Sequence, residues 1–262
     1  MKSPLKAAAL QMLTCGVVAE NVSKLLEAVE QAAEQGVELL VVPECALSGY
    51  PPSQGLDFAA LREARRALVA RASQRGLWLA LGTTTRHRQK WFNSALLFSP
   101  RGRLVASYHK TQLTEDDTPI FQAGCALPVF QIGQWKVGLQ ICFDMRFPEN
   151  WRILRRQGAE LILHLSHASG AAGWKVPVLG GTVRCRAAEN GLFVVSANDA
   201  RRPQMLVSAI CDPDGRHLAC ARKNREMMIT ATLDRTAVKD DFLRLRRTDL
   251  WSRPQFRRLL LR

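Results

Sequence analysis

Apolar side chains at positions 18, 22, 25, 26, 29, 32 and 33 recur at the spacing of one helix face, and Gly36 closes the segment. The spacing predicts a helix over 18–35, and a similar pattern stopped by Gly76 predicts another over 58–75. Between them VELLVV (37–42) is an unbroken apolar run ending at Pro43, which reads as a strand covered on both faces. KAAALQML (6–13) reads as a first strand rather than a secretion leader, because the run is short and Gln11 interrupts it. LWLALGTTT (77–85) is the next strand. WFNSALLFS and GRLVASYH then pair as a hairpin across Pro100–Arg101–Gly102, and PVFQI and KVGLQI pair across Gly133.

Further along, PENWRILRRQ is a helix stopped by Gly158, followed by the strand ELILHLS (160–166). WKVPVLGGTVRCRAAEN gives another helix and LFVVSAN another strand. LVSAICDP and RHLACA flank a turn at 212–215, and MMITATLD is the last strand. Strands alternating with helices early and late, with hairpins between them, predict an α/β layered domain with mixed sheets. No internal repeat, low-complexity segment or linker interrupts the pattern.

Composition adds bounds to this picture. A chain of 262 residues, 47% hydrophobic and 23% charged, can form one sizeable core, so residues 1–262 are read as a single domain. Its end, from about 237 to 262, is arginine-rich. Residues 242–262 hold seven arginines and one aspartate, which is +6 of the formal +14. This tail is too short for a domain and is expected to dock on the body or on a partner subunit. The charge raises the question of nucleic acid, but no helix-turn-helix, zinc finger or RNA-binding aromatic pattern accompanies it. A solvated arginine-rich surface is the expectation, without nucleic acid. No stretch approaches the ~20 apolar residues of a membrane span. The seven cysteines form no C-x-x-C pair and no zinc-spaced Cys/His cluster. They are expected to be reduced, mostly buried, and those of a cytoplasmic protein.

Three polar residues end apolar strands: Glu44 after VELLVVP, Lys110 after LVASYH and Cys142 after KVGLQI. Strand ends bordering a crevice are where α/β sheets bind ligands. A carboxylate, an ammonium and a thiol converging there would suffice for nucleophilic catalysis. The carboxylate takes the thiol proton, and the ammonium stabilises the thiolate and then an oxyanion. Singly, each reads as ordinary: a loop carboxylate, a surface lysine and a core cysteine.

The surrounding words change that reading. VVPECALSGYPP around Glu44, YHKTQL around Lys110 and GLQICFDMRFPE around Cys142 resemble the three signature segments of the nitrilase, or carbon–nitrogen hydrolase, superfamily. KAAALQ, FQAG, RAAEN with VVSAN, and SAICDPDG resemble its other segments. FLRLRRTDLW resembles the tail of its carbamoylase-like branches, so the likeness runs from about residue 5 to 252. The resemblance implies a four-layer α-β-β-α sandwich with two mixed, six-stranded-type sheets, pairing through helices into a homodimer. It implies Glu44 as general base, Cys142 as nucleophile forming a thioester, and Lys110 with the Phe143 backbone N–H as oxyanion site. No metal and no organic cofactor are implied.

One departure concerns a second family glutamate, seven residues before the glycine of the F-x-x-G word. Counting back from Gly124 gives Asp117, one methylene shorter. Asp117 takes over the orienting role, Glu115 reaches in instead, or this acidic loop is merely solvated. Phe143–Asp144 follows the cysteine where true nitrilases of the superfamily usually have Trp–Glu, which favours the amidase and carbamoylase branches. Arg146 either clamps a substrate carboxylate or pairs with Asp144 or Glu149. His167 and Trp174, in HLSHASGAAGW, either shape the acyl pocket or are structural.

The leading expectation is therefore a hydrolase of a small linear amide or N-carbamoyl compound. Nitrile hydrolysis and amide-forming acyl transfer use the same triad. A catalytically inactive, basic nucleic-acid-associated protein is the alternative of another class, and the intact Glu44, Lys110 and Cys142 count against it.

Overall fold

The computed structural model describes residues 4–245 and 247. Two six-stranded sheets lie face to face, and each carries helices on its outer side. The first sheet opens with β1 (Leu5–Gln11) and, after helix α1 (Val18–Glu34), β2 (Leu39–Val41). Helix α2 (Phe58–Gln74) leads to β3 (Trp78–His87), β4 (Lys90–Phe98) and β5 (Leu104–His109). β6 (Val129–Ile132) and β7 (Trp135–Ile141) start the second sheet. A 3-10 turn (Cys142–Arg146), helix α3 (Pro148–Arg156), β8 (Leu161–Ser166), helix α4 (Lys175–Asn190) and β9 (Phe193–Asn198) follow. The hairpin β10 (Ala209–Cys211) and β11 (His217–Cys220) completes that sheet. β12 (Met227–Leu233) returns to pair antiparallel with β1, ahead of the short helix α5 (Asp241–Arg244).

The strand orders are β12-β1-β2-β3-β4-β5 and β11-β10-β9-β8-β7-β6. In each sheet three parallel strands, β1-β2-β3 or β7-β8-β9, are flanked by antiparallel ones. The parallel strands are apolar runs because both faces are covered. Leu39, Val41, Leu97, Val137, Leu163 and Val195 fill the space between the sheets. A second apolar cluster packs α1 and α2 on the first sheet, and a third packs α3 and α4 on the other. The four layers expected from the sequence are those observed.

Two details depart from the sequence reading. β3 runs on to His87 and pairs with β4 from Leu79↔Phe98 to His87↔Lys90, a hairpin the sequence did not signal. Its turn uses Arg88 at φ 54 instead of a glycine. Only Cys45 and Cys211 of the seven cysteines are buried, while Cys125, Cys185 and Cys220 are exposed, and all seven are free. Apart from 237–245 and 247, the arginine-rich tail lies outside the described residues. Among the described residues no helix is long and apolar enough to cross a membrane.

Two glycines set the sheet against the turns that follow β2 and β5. A Cβ on Gly82 of β3 would meet the Pro43 carbonyl oxygen at 2.0 Å and Glu44 Cα at 3.0 Å. A Cβ on Gly124 would meet the His109 carbonyl oxygen at 2.2 Å, and the Gly124 N–H donates to the Lys110 carbonyl at 2.8 Å. The backbones bearing Glu44 and Lys110 thus rest on positions where no side chain fits.

The buried layer between the sheets carries the stability. Leu163→Ala should lower the unfolding free energy by about 2–5 kcal/mol. Leu104→Ala, at a half-exposed edge-strand site, should change little. Urea titration of both variants checks the difference, and equal midpoints would remove β8 from the core.

Candidate active site

Glu44, Lys110 and Cys142 each stand just beyond the carboxyl end of a strand, β2, β5 and β7 respectively. All three line one open cleft of about 800 Å³. The first two arrive from one sheet and the third from the other, so the site lies where the two sheets meet.

Glu44 is 1% exposed and held at both oxygens. Oε1 accepts from Lys110 Nζ at 2.8 Å and from Asn93 Nδ2 at 2.6 Å, and Oε2 accepts from the His167 backbone N–H at 2.8 Å. Asn93 sits on β4 opposite Thr84 of β3, so the hairpin that the sequence did not signal supplies this clamp.

Lys110 is equally buried and bridges Glu44 to Asp117 Oδ2, also at 2.8 Å. Burial alone would drive its proton off. The opposing charges of Glu44 and Asp117 outweigh that and hold the ammonium well above the ordinary lysine range. An ammonium has three N–H donors; two are engaged here and the third is free.

Asp117 resolves the question of the acidic loop. Glu115 and Asp116 are exposed, whereas Asp117 is fully buried. Its Oδ2 also accepts from the Thr114 N–H at 3.0 Å, and Oδ1 accepts from the Tyr50 hydroxyl at 3.0 Å. Burial pushes its carboxyl upward, but the Lys110 ammonium and these hydrogen bonds win and hold it below the usual range. The tight turn Thr114–Asp117, closed by Asp117 N–H to Thr114 oxygens, draws the shorter side chain inward.

Cys142 opens the 3-10 turn at φ 43, a left-handed conformation uncommon for a residue with a side chain. Two buried groups hold it there. Asp144 Oδ2 accepts from the Ile141 N–H at 2.8 Å and the Tyr108 hydroxyl at 2.7 Å. Its Oδ1 accepts from the Gln112 N–H at 2.9 Å and the Thr111 hydroxyl at 3.1 Å. This carboxylate therefore ties the turn of Cys142 to the residues on either side of Lys110. His164 of β8 reaches the Cys142 carbonyl with Nε2 at 3.1 Å, while Nδ1 lies 2.9 Å from the Ser196 hydroxyl. Burial pushes this imidazole down to about 4, so it is neutral, with Nε2–H donating and Nδ1 accepting. Burial and the Glu44 charge push the Cys142 thiol up to about 12, against the lowering effect of Lys110. The resting group is the thiol, faced by the Ser166 hydroxyl and the His167 N–H. The first amides of the turn, that of Phe143 among them, have no partner within it.

The other candidates are placed as follows. Arg146 is exposed at the cleft rim, and among the described residues no ion pair joins it to Asp144 or Glu149. His167 lines the cleft, with its side chain 4% exposed. Trp174 is 66% exposed and stands outside the cleft, so it does not shape a pocket. Asn93, Asp144 and His164 were not predicted as site residues. Among the described residues no group of three or more His, Cys, Asp or Glu side chains could hold a metal ion.

A profile of the carbon-nitrogen hydrolase family matches residues 6–241. The chain belongs to the carbon-nitrogen hydrolase family. A Pseudomonas protegens protein described as the hydrolase in the pqqF 5′ region is 34% identical over 231 residues, covering 83% of this chain and 78% of that protein. An omega-amidase of Xenopus tropicalis is 26% identical, covering 93% and 95%. The amidase of Nesterenkonia sp. AN1, a nitrilase-superfamily protein, superposes with a TM-score of 0.84 at 27% identity, covering 95% and 97%, in a cysteine-to-alanine variant complexed with butyramide. A glutamate-to-glutamine variant of that amidase carries the acetamide moiety of fluoroacetamide on its active-site cysteine, again at a TM-score of 0.84 and 26% identity, covering 95% and 96%. In this family setting the α-β-β-α layers are those of the nitrilase-superfamily amidases.

Asp144 supplies two acceptor oxygens to two backbone N–H groups and two hydroxyls, so Asp144→Asn must turn its NH2 group toward the Ile141 or the Gln112 N–H, neither of which can accept. Each stranded donor costs about 1–3 kcal/mol. Asp144→Asn should therefore lower the urea midpoint clearly, while Arg146→Ala leaves it in place. An unchanged midpoint in the Asp144 variant would show that the Cys142 turn is held by something else.

Proposed function

We propose that the protein hydrolyses a C–N bond of a small linear amide or N-carbamoyl compound through a thioester on Cys142. The observation that carries this reading is the convergence of a buried carboxylate, a buried ammonium with one free N–H and a cysteine on one cleft. Amidases of the same fold with an active-site cysteine support it.

In this reading the Cys142 sulfur attacks the amide carbonyl carbon as its proton passes to Glu44. A thiol pushed up to about 12 yields its proton at neutral pH only to a base that takes it during the attack. The carbonyl π electrons move to oxygen, and the resulting oxyanion is met by the free N–H of Lys110 and the Phe143 backbone N–H. Collapse breaks the C–N bond, and the departing nitrogen takes the proton from Glu44. Water then attacks the thioester, giving its proton to Glu44. The carboxylic acid leaves, and the proton returns to the sulfur. Lys110 keeps its proton throughout, and Asp117 holds it in line.

Cys142→Ala should abolish turnover and leave the fold intact, because little volume is lost. Glu44→Gln should lower amide turnover by about 10²–10⁴-fold, the usual contribution of a positioned base. Ammonia release and intact-mass detection of an acyl adduct, with pooled amides, ureido acids and nitriles, check both. Turnover persisting in Cys142→Ala would sink the mechanism.

The protein is further proposed to pair through the outer faces of α3 and α4, where Ile153 is 41% and Val178 39% exposed. Large apolar groups on one outer layer suit an interface between copies. Sedimentation should give twice the mass of the chain, and Val178→Arg should shift it toward one. An unaltered protein that sediments as a monomer contradicts the pairing.

A further inference from the structure

His167 contributes two unlike groups to the cleft. Its backbone N–H belongs to the clamp on Glu44, whereas its ring is not used in the chemistry above. The ring is almost fully buried, packs against Tyr50 with ring centroids 4.9 Å apart, and borders the cleft. Its Nδ1 lies 3.5 Å from Asp199 Oδ2 and has no hydrogen-bond partner.

Asp199, just beyond β9, is fully buried and fixed by backbone donors. Oδ2 accepts from the Thr14 N–H at 2.9 Å and the Thr14 hydroxyl at 2.7 Å, and Oδ1 accepts from the Arg201 N–H at 2.6 Å. A carboxylate so placed can only accept. It therefore favours the tautomer in which Nδ1 carries the proton, and that leaves a lone pair on Nε2. Burial lowers the affinity of the ring for a second proton; Arg201 and Lys110 add to this, while Asp199 and Glu44 oppose it, and the net shift is downward. The neutral ring thus presents an acceptor to the cleft, where Lys110 is committed to Glu44 and Asp117 and the Arg201 guanidinium donates to the Thr14 carbonyl.

Building on the cysteine-hydrolase reading, we infer that His167 Nε2 accepts an N–H from the substrate's amide or carbamoyl –NH2 group, with Asp199 as the positioning residue that sets the tautomer. The site then selects for the scissile group itself. An amide with a free N–H gains a hydrogen bond that an ester of the same acid cannot make. A polar acceptor buried by the substrate and left unmatched costs more than a weak bond returns.

Two measurements test this. The first compares butyramide and succinamate with methyl butyrate and monomethyl succinate, which give the same thioesters. His167→Leu should lower kcat/KM for the amides by about 10–100-fold more than for the esters. His167→Gln, which keeps an acceptor, should recover part of the loss. Equal losses on amide and ester would make His167 a mere support for Glu44 and overturn the inference. The second is the ¹⁵N spectrum of the imidazoles in the unaltered protein, with the His167 signals assigned by correlation to its own backbone. Nδ1 should be protonated and Nε2 bare at neutral pH, and the opposite tautomer or a doubly protonated ring would overturn the inference whether or not the variants fold. The hydrolase reading fails separately, by the absence of any Cys142-dependent amide turnover in the unaltered protein.

Discussion

The Lys110 ammonium, held between two carboxylates and closed to water, is the interaction on which the site depends. Its Nζ is 2.8 Å from both Glu44 and Asp117, and all three side chains are at most 1% exposed. Charges so deeply buried are tolerated only when matched, and removing one strands the others. The ion triplet therefore fixes three separate backbones at once: the turn after β2, the end of β5 and the Thr114–Asp117 turn. It also assigns roles by exclusion. An ammonium held well above the ordinary lysine range cannot act as a base near neutral pH, which is why the proposed reaction gives proton acceptance to Glu44.

Around this triplet the two sheets do different jobs. The first holds the charges, with Asn93 on Glu44 and with Gly82 and Gly124 letting strand backbone approach the turns. The second holds the sulfur. Cys142 at φ 43 would relax to an extended conformation were its flanking amide and its carbonyl not engaged by Asp144 and His164. Asp144 also accepts from Tyr108, Thr111 and Gln112, so it acts as a strut between the sheets. The relative position of thiol and ammonium is set by that strut.

Much of this was legible in the sequence, and the illegible part has a physical reason. Apolar runs closed by Glu44, Lys110 and Cys142 locate strand ends, and strand ends on one side of an α/β sheet share a crevice. The layers follow from helix spacing and continuous apolar runs. Asn93, Asp144 and His164 escaped because each is a polar residue inside an apolar segment, matched to a partner between 3 and 49 positions away. Local pattern cannot distinguish a satisfied polar residue from an interruption. Asp117 shows the converse limit. Three consecutive acids look alike in sequence, yet only the third closes the turn that turns it inward. Trp174 looked like a pocket wall because large aromatics usually are buried, and it lies outside because it precedes α4 at the surface.

In the proposed reaction the charge arrangement makes the attack inexpensive. At rest the buried group holds two carboxylates, one ammonium and a neutral thiol, a net charge of −1. When the thiol proton passes to Glu44 and sulfur adds to the carbonyl, Glu44 becomes neutral and the substrate oxygen becomes negative. The net charge is still −1. Negative charge moves from one N–H of Lys110 to another, past a cation that neither moves nor titrates. A thiolate formed by loss of the proton to solvent would instead sit beside an ionised Glu44, and burial together with that charge is what pushes the thiol up to about 12. The same burial that makes Cys142 a poor free thiol therefore favours a path in which its proton stays within the site and passes to Glu44, because losing it to solvent would add a second unmatched negative charge.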